Sequence, residues 1–263
     1  MSNLITKIDS RGVASVTLNR PEIHNAFDDQ LISDLIKEFL ALEKNSKVKI
    51  AALMGKGESF CAGADLNWMK KMVNFSKAEN YKDAKKLAKL FSVLHNYKKP
   101  LLGKVHGNVL GGGVGLVAVC DFIIASNQTR FGLTEVKLGL VPAVISPYVL
   151  SKIGKSNAHA FFLSGIRFGA DKAKEMGLIH QTCEADDLNK EFERIVEGFL
   201  KAGPRAAVSA KELLKKISPP INEKTIDLTC KFISSIRVTS EAQEGMSALL
   251  EKRLPNWVKE NGN

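Results

Sequence analysis

The chain has 263 residues, a formal net charge of +10, and 44% hydrophobic and 25% charged residues, which is ordinary for a water-soluble globular protein. This length suits one large domain, or a domain with an appendage, and is enough to bury a full core. No apolar run approaches the roughly 20 residues needed to span a bilayer, which excludes a membrane-spanning helix.

The N-terminus, the cysteines and the net charge indicate where the protein is located and which partners it can have. The N-terminal residues lack the regions of a signal peptide and the four cysteines form no C-x-x-C pair, so we expect a cytoplasmic protein with reduced cysteines and no metal site. The basic excess fits a polyanionic partner, either nucleic acid or a phosphate-rich ligand. The lysines are dispersed, and those of residues 80–100 fall on the polar face of an amphipathic helix, which disfavours nucleic acid.

Strands and helices alternate over the first half of the chain. The predicted elements are a hairpin of strands 4–8 and 13–18, a helix over 29–43, strands at 50–54, 101–105, 122–126 and 129–133, and the helix within 80–100. This alternation predicts an α/β fold with much parallel strand pairing.

After residue 203 the pattern changes to three amphipathic helical stretches without strands between them. They cover 204–217, 222–236 and 241–254, with Gly203-Pro204 and Pro219-Pro220 as breaks. We therefore expect an α/β core of residues 1–202 and a C-terminal helical region of residues 203–263 that serves oligomerisation. The alternative is that these helices close over the chain's own core.

Two turns rich in small residues carry the chemistry. The first turn is FCAGADLNWM, residues 60–69, and the second turn is HGNVLGGGVGL, residues 106–116. Each follows a predicted strand and leads into a helical segment, so each presents backbone N–H groups at a helix N-terminus. Brought together, they can aim two N–H donors at one carbonyl oxygen, an oxyanion hole suited to a thioester enolate.

The commoner interpretations of glycine-rich turns do not fit. Neither turn has the spacing of a P-loop, and a dinucleotide fingerprint fails because Leu116 stands three residues beyond Gly113. The structural alternative is that these glycines serve only tight turns and close helix–strand packing.

Glu135 is the carboxylate that the sequence singles out. It stands in FGLTEVKLGLVP, residues 131–142, among apolar neighbours. A carboxyl group in such surroundings has a raised pKa, which suits a general acid or base. The alternative is an ordinary surface glutamate beside Lys137.

Taken together, these segments resemble the crotonase superfamily, also called the enoyl-CoA hydratase/isomerase family. VTLNRPEIHNAF, FCAGADLNWM, HGNVLGGGVGLVAVCD and FGLTEVKLGLVP occur in the family's order and spacing, and EKRLPNW at 251–257 resembles its usual ending. The resemblance implies a spiral of ββα repeats, followed by C-terminal helices through which the family forms trimers or dimers of trimers. It also implies an acyl-CoA substrate, with coenzyme A as part of that substrate and no separate cofactor.

The resemblance implies the site residues as well. The oxyanion donors are the backbone N–H groups of Ala64 and Gly112, and Glu135 is the catalytic carboxylate. The residues implied for binding substrate and CoA are His24, Ala26, Ala62, Gly63, Asp65, Leu66, Leu110, Gly111 and Pro142. Leu66, Met69 and Met72 have the helical spacing of an acyl-pocket wall or of ordinary core.

One position departs from the family pattern. Two-glutamate hydratases carry a glutamate where this chain has Gly115, so only one catalytic carboxylate remains. A single carboxylate can add water in two successive steps, or can move a proton between C2 and C4 of the acyl chain. The second task is double-bond isomerisation.

ADLNWMKKM, GGGVGLVAVCD and EVKLGLVPAVISPYV are most similar to the branch named for methylglutaconyl-CoA and carboxygeranoyl-CoA hydratases. Those enzymes act on branched enoyl-CoA thioesters with a distal carboxylate, in leucine and acyclic terpene breakdown. On this likeness we expect hydration of a 2-enoyl-CoA, with Gly115 leaving room for a branch or for water.

Three alternatives stay open. Within the enzyme class they are 3-enoyl-CoA to 2-enoyl-CoA isomerisation and acyl-CoA hydrolysis. From a different class, the alternative is a non-catalytic protein of the same fold that binds RNA or another acidic partner through its basic surface.

Overall fold

The fold is built on one six-stranded and one three-stranded sheet, seen in a computed structural model that describes residues 2–217 and 221–256. The strands are β1 Leu4–Ile8, β2 Val13–Leu18, β3 Ile50–Gly55, β4 Leu101–Val105, β5 Asn108–Leu110, β6 Phe122–Ser126, β7 Arg130–Gly132, β8 Phe168–Gly169 and β9 Gln181–Cys183. The larger sheet has the order β1-β2-β3-β4-β6-β9 and the smaller has the order β5-β7-β8.

Helices cover the sheets and form the C-terminal region. They are α1 Asp29–Lys44, α2 Leu66–Met72, α3 Lys77–Asn96, α4 Gly112–Ala118, α5 Ser146–Ser164, α6 Ala170–Glu175, α7 Leu188–Leu200, α8 Pro204–Ile217, α9 Glu223–Arg237 and α10 Ser240–Leu250. Two short 3-10 helices, Pro21–Ile23 and Thr134–Leu138, complete the set. We call the second of these the Glu135 turn.

Strand pairing confirms the predicted α/β class. β1 and β2 form the predicted antiparallel hairpin, whereas β2, β3, β4, β6 and β9 pair in parallel. A strand of the large sheet, a strand of the small sheet and a helix follow one another twice, as β4-β5-α4 and as β6-β7-α5. These are the ββα repeats of the expected spiral.

The core confirms the periodicity of α1 and of α3. The predicted face of α1 is buried, and so are Ala84, Phe91 and Leu94 of α3, while Lys82, Lys86 and Lys89 are exposed. One difference concerns the second turn, because residues 108–110 form strand β5 within it. Local periodicity cannot reveal a three-residue strand whose hydrogen-bond partners lie elsewhere in the chain.

The three helices predicted after residue 203 are present as α8, α9 and α10. Within the described part of the chain, α9 packs against α3, and α10 packs against α2 and the Glu135 turn. Helices α9 and α10 therefore cover the chain's own core, which was the alternative to a role in oligomerisation. The Pro219-Pro220 break and Trp257 of the EKRLPNW ending lie outside the described residues.

The described helices include none that is long and apolar enough to cross a membrane. The four cysteines are free thiols, and Cys61, Cys120 and Cys230 are buried. No group of three or more metal-ligating side chains occurs within residues 2–217 and 221–256.

Candidate active site

The segment RPEIHNAF lies directly against the first turn. The Phe27 N–H donates to Gly63 O at 2.7 Å and the Asp65 N–H donates to Phe27 O at 2.8 Å. The backbone groups of Gly63 and Asp65 that make these bonds both point toward Phe27. Successive backbone groups of an extended chain point to opposite sides, so the N–H of Ala64 points away from Phe27. The Ala62 N–H donates to His24 O at 3.0 Å, which extends the contact to His24.

The second turn is bonded to the first turn on one side and to β7 on the other. Leu110 N–H donates to Cys61 O, and Gly111 N–H donates to Gly132 O, each at 2.9 Å. Gly112 then opens α4, so its N–H belongs to the unpaired first turn of that helix. In the described part of the chain, neither the Ala64 N–H nor the Gly112 N–H donates to a protein acceptor.

Glycines allow this close approach of the two turns. Gly63 has φ +96°, and a Cβ atom there would lie 3.3 Å from Leu110 O. A Cβ atom at Gly113 would lie 2.6 Å from Cys61 O, which no side chain tolerates. The small residues therefore serve the packing that the structural alternative proposed, and the same packing places Ala64 and Gly112 in the lining of one cavity.

Glu135 stands beside the second turn. Its Oε1 lies 3.1 Å from the position that a Cβ atom at Gly111 would take, while its Oε2 is buried without a hydrogen-bond partner among the described residues. Burial raises the pKa of Glu135 to about 7, against a smaller opposing effect of its own backbone N–H. A carboxyl group with this pKa can both accept and donate a proton near neutral pH.

Helix α10 holds the Glu135 turn in place through direct backbone contact. A Cβ atom at Gly245 of α10 would lie 2.3 Å from Leu138 O, and a Cβ atom at Gly139 would lie 2.7 Å from Glu241 O. Gly139 ends the turn in the left-handed conformation with φ +65°. The C-terminal region therefore positions the candidate catalytic carboxylate.

One cavity of about 940 Å³ joins these groups. All of the predicted site residues except Gly115 line it, namely His24, Ala26, Ala62, Gly63, Ala64, Asp65, Leu66, Leu110, Gly111, Gly112, Glu135 and Pro142. Met69 and Met72 line it too and are otherwise buried.

Gly115 does not border this cavity, and the expectation that it leaves room for a branch or for water is wrong. A Cβ atom at Gly115 would lie 2.4 Å from Ile145 Cγ2 and 2.8 Å from Phe91 Cε1. These two side chains fill the space. The sequence identified the missing glutamate but could not show what replaces it, because Phe91 and Ile145 come from distant elements.

Asp65 has a structural role in addition to its place in the cavity lining. Its Oδ1 caps α2 by accepting the N–H groups of Asn67 at 2.7 Å and Trp68 at 3.1 Å. Its Oδ2 lies 3.3 Å from Nη2 of Arg20, which also pairs with Asp28 at 2.7 Å. This network ties RPEIHNAF to the first turn and so fixes the Ala64 N–H.

Part of the cavity wall was not predicted from the sequence. Residues of α2, α3, α9 and α10 form it, namely Trp68, Leu87, Ile233, Arg237, Met246, Leu249 and Leu250. The only local signal was the amphipathic spacing of these helices, which does not tell whether an apolar face meets the core, a partner or a ligand.

The chain matches one protein family over nearly its whole length. The family model described as enoyl-CoA hydratase/isomerase matches residues 9–260. The 2,3-dehydroadipyl-CoA hydratase of Escherichia coli K12 is 30% identical over 98% of this chain and 99% of that protein. The trans-2-decenoyl-[acyl-carrier-protein] isomerase of Streptococcus mutans is 29% identical over 94% of this chain and 95% of that protein.

Solved structures match over the same length. The crystal structure of an enoyl-CoA hydratase from Shewanella pealeana is 39% identical with a TM-score of 0.80, covering 97% of this chain and 96% of that one. The chain therefore belongs to the enoyl-CoA hydratase/isomerase family, the crotonase superfamily of acyl-CoA enzymes.

Proposed function

We propose that this protein hydrates a 2-enoyl-CoA thioester with Glu135 as its single acid/base. The observation that carries the proposal is the buried Oε2 of Glu135, in a cavity that the N–H-bearing residues Ala64 and Gly112 also line. Neither this oxygen nor the two N–H groups have a hydrogen-bond partner among the described residues. A carboxyl group with a pKa of about 7 is suited to take a proton and to return it.

In the proposed reaction the Glu135 carboxylate takes a proton from water as the water oxygen bonds to C3. The electrons of the C2–C3 double bond move toward the thioester, and its carbonyl oxygen becomes an enolate oxygen. The N–H groups of Ala64 and Gly112 stabilise that oxygen. Glu135 then gives its proton to C2, which completes the addition of one water molecule.

The loss of conjugated-thioester absorbance tests the proposal, with 3-methylglutaconyl-CoA as substrate. We expect Glu135→Gln to lower kcat by at least about 10²-fold, the usual contribution of a positioned acid/base. Glu175→Gln is the matched control, because Glu175 is an exposed carboxylate of α6. Near-native turnover by Glu135→Gln on every enoyl-CoA tried would refute the mechanism.

Isomerisation of a 3-enoyl-CoA to a 2-enoyl-CoA is the second candidate. The observation that favours it is the filled space at Gly115, which holds Ile145 and Phe91 in place of a second carboxylate. Glu135 would then take a proton from C2 and return it to C4. A 3-enoyl-CoA substrate distinguishes the two reactions, because isomerisation raises the conjugated-thioester absorbance that hydration lowers.

We further propose a branched or carboxylated acyl group of the methylglutaconyl type. The likeness of residues 64–72, 111–121 and 135–149 to the methylglutaconyl-CoA and carboxygeranoyl-CoA branch supports it. The dehydroadipyl-CoA hydratase relative, whose named substrate is the thioester of a dicarboxylic acid, is consistent with it.

Tight, salt-sensitive binding of random RNA without acyl-CoA binding would instead support the non-catalytic alternative.

We also propose that the chain assembles as a homotrimer or a dimer of trimers. Large apolar side chains on the outer faces of α8 and α9 are exposed in the single chain, namely Leu213, Leu214, Leu228 and Phe232. Exposed apolar patches of this kind mark interfaces in soluble proteins.

A further inference from the structure

A buried arginine lies in the wall of the active-site cavity. Arg237 of α9 is 7% exposed and lines the cavity, whereas four other lysines and arginines of the lining, Lys70, Lys137, Arg167 and Lys252, are exposed. Exposed cations at a cavity rim are solvated and need no partner. A buried cation is costly unless it is paired, so the partners of Arg237 decide which of its donors remain for a ligand.

Protein partners use only part of the Arg237 guanidinium. Its Nη1 donates to Asp83 Oδ2 of α3 at 2.8 Å. Among the residues that the structure describes, its Nε and Nη2 have no acceptor. A guanidinium has five N–H donors in a planar fork, so this ion pair leaves donors for a further acceptor.

A second donor without an acceptor belongs to the same lining. Trp68 of α2 is 5% exposed and borders the cavity, and its indole N–H is buried with no acceptor in the described part of the chain. Buried polar groups are nearly always paired in folded proteins. An anionic ligand group in the cavity would supply an acceptor for the remaining Arg237 donors and for the Trp68 indole N–H.

The ion pair lies one helical turn from the apolar wall of the cavity. On α3, Leu87 follows Asp83 by four residues, and on α9, Ile233 precedes Arg237 by four residues. Residues four apart share a helix face. Since Leu87 and Ile233 both line the cavity, an acyl chain that passes between them approaches Arg237.

We propose that Arg237 binds the distal carboxylate of an ω-carboxylated enoyl-CoA and is thereby the specificity-determining residue of the acyl pocket. This inference rests on the proposed function and names its substrate class. The guanidinium fork matches the geometry of a carboxylate, and such pairs are strong when they are shielded from water. Asp83 keeps the guanidinium oriented and paired while the pocket is empty.

Binding of saturated thioesters tests the inference without any reaction. Adipyl-CoA and hexanoyl-CoA have acyl chains of equal carbon number and differ in the terminal carboxylate. By calorimetry we expect the wild-type protein to bind adipyl-CoA about tenfold more tightly or better, as a charge-assisted hydrogen bond allows. Equal affinities, or tighter binding of hexanoyl-CoA, would overturn the inference.

Two variants separate recognition from a purely structural ion pair. In the double variant Asp83→Asn with Arg237→Gln, an amide pair replaces the ion pair, and we expect adipyl-CoA binding to weaken about tenfold while hexanoyl-CoA binding stays within about twofold. In Asp83→Asn alone, Arg237 loses its competing carboxylate, so adipyl-CoA binding should be unchanged or tighter. Equal losses for both thioesters in both variants would mean that the pair only holds α3 and α9 together.

The same data separate this inference from the proposed function. Hexanoyl-CoA binding and urea denaturation report whether each variant is folded. If the wild-type protein binds neither thioester, the proposed acyl-CoA function fails and this inference fails with it. If it binds both equally and turns over an enoyl-CoA, the proposed function stands and only the role of Arg237 is refuted.

Discussion

At the scale of single residues, the burial that suits Glu135 to its proposed acid/base role also has a cost in stability. Its Oε2 is buried without a hydrogen-bond partner within residues 2–217 and 221–256, and burial raises its pKa to about 7 from the ordinary value of 4.5. A folded state that binds a proton more tightly than the unfolded state loses stability as pH rises through the interval between the two pKa values. The charged carboxylate is therefore present at neutral pH at the expense of folding free energy.

Glu135→Gln should stabilise the protein in a pH-dependent way. Tighter proton binding by the folded wild-type protein contributes to its free energy of unfolding. This contribution is fully present below pH 4.5 and is lost as pH rises through about 7. The variant has no such loss, so its advantage in free energy of unfolding should grow from near zero at pH 4.5 to at most roughly 3 kcal/mol at pH 8. Urea denaturation of both proteins at several pH values measures it. An advantage independent of pH would contradict the assigned pKa.

The pH dependence of turnover should report the same group. Because the reaction starts from the deprotonated carboxylate, kcat/KM should rise with pH and level off above a pKa of about 7. Steady-state rates between pH 5 and pH 9 measure this. A plateau that already begins near pH 5 would show that Glu135 has an ordinary pKa in the free enzyme.

At the scale of elements, the geometry of the candidate site depends on two contacts made by helices α2 and α10. The cap that Asp65 provides fixes the start of α2 at Leu66, two residues after Ala64. The backbone of α10 meets the Glu135 turn at Gly139 and Gly245. Both contacts involve close approach or capping, which costs about 1 kcal/mol or more when disturbed.

Gly245→Ala should lower both stability and activity. The added methyl group would lie 2.3 Å from Leu138 O, so α10 must move away from the Glu135 turn. We expect a loss of roughly 1–3 kcal/mol in free energy of unfolding, together with a lower kcat. Chemical denaturation and the absorbance assay measure the two effects.

Gly198→Ala is the matched control for this substitution. Gly198 lies in α7, and apart from its chain neighbours and the backbone of its own helix, no atom of the described residues lies within 4 Å of the added methyl group. Alanine is the better helix former, so this variant should gain roughly 0.5–1 kcal/mol with unchanged activity. If Gly245→Ala behaved like Gly198→Ala, the proposed role of α10 in positioning Glu135 would be wrong.

Some of these elements could be predicted from the sequence alone and others could not. Hydrophobic periodicity predicted the hairpin, α1, α3 and the three C-terminal helices, because each carries a clear local pattern. Strand β5 and the space beside Gly115 depend on contacts between distant segments. Such contacts leave no periodic signal in the segment itself.

At the scale of the whole molecule, the C-terminal region has one face toward the cavity and one face toward solvent. Its inner face supplies Ile233, Arg237 and Met246 to the cavity. Its outer face exposes Leu228 and Phe232, one turn apart on α9. The predicted division at residue 203 stays a prediction, although the inner face belongs to the same cavity as the two turns.

Assembly should depend on that outer face. Light scattering of the wild-type protein should give the mass of three or six chains. Replacing both Leu228 and Phe232 by Glu should yield smaller species, because charged side chains would have to be buried at the interface. A wild-type protein that is monomeric at micromolar concentration would contradict the proposed assembly.

The parts of the candidate site that consist of backbone groups in the two turns could be predicted from the sequence. Gly63, Gly111 and Gly112 carry their signal in the sequence, since small residues are needed where two turns meet. Glu135 was identified by its apolar neighbours and by the family resemblance. Arg237 was not identified, because only the packing of α9 on α3 brings it to the cavity.

Proton transfer at C2 by Glu135 is the central claim, and mass spectrometry in D2O tests it most directly. With a 2-enoyl-CoA substrate, the wild-type protein should form a hydrated product with one non-exchangeable deuterium at C2. Glu135→Gln should form it at least about 10²-fold more slowly. Deuterium incorporation at an equal rate in the variant would contradict the account, because another group would then be moving the proton.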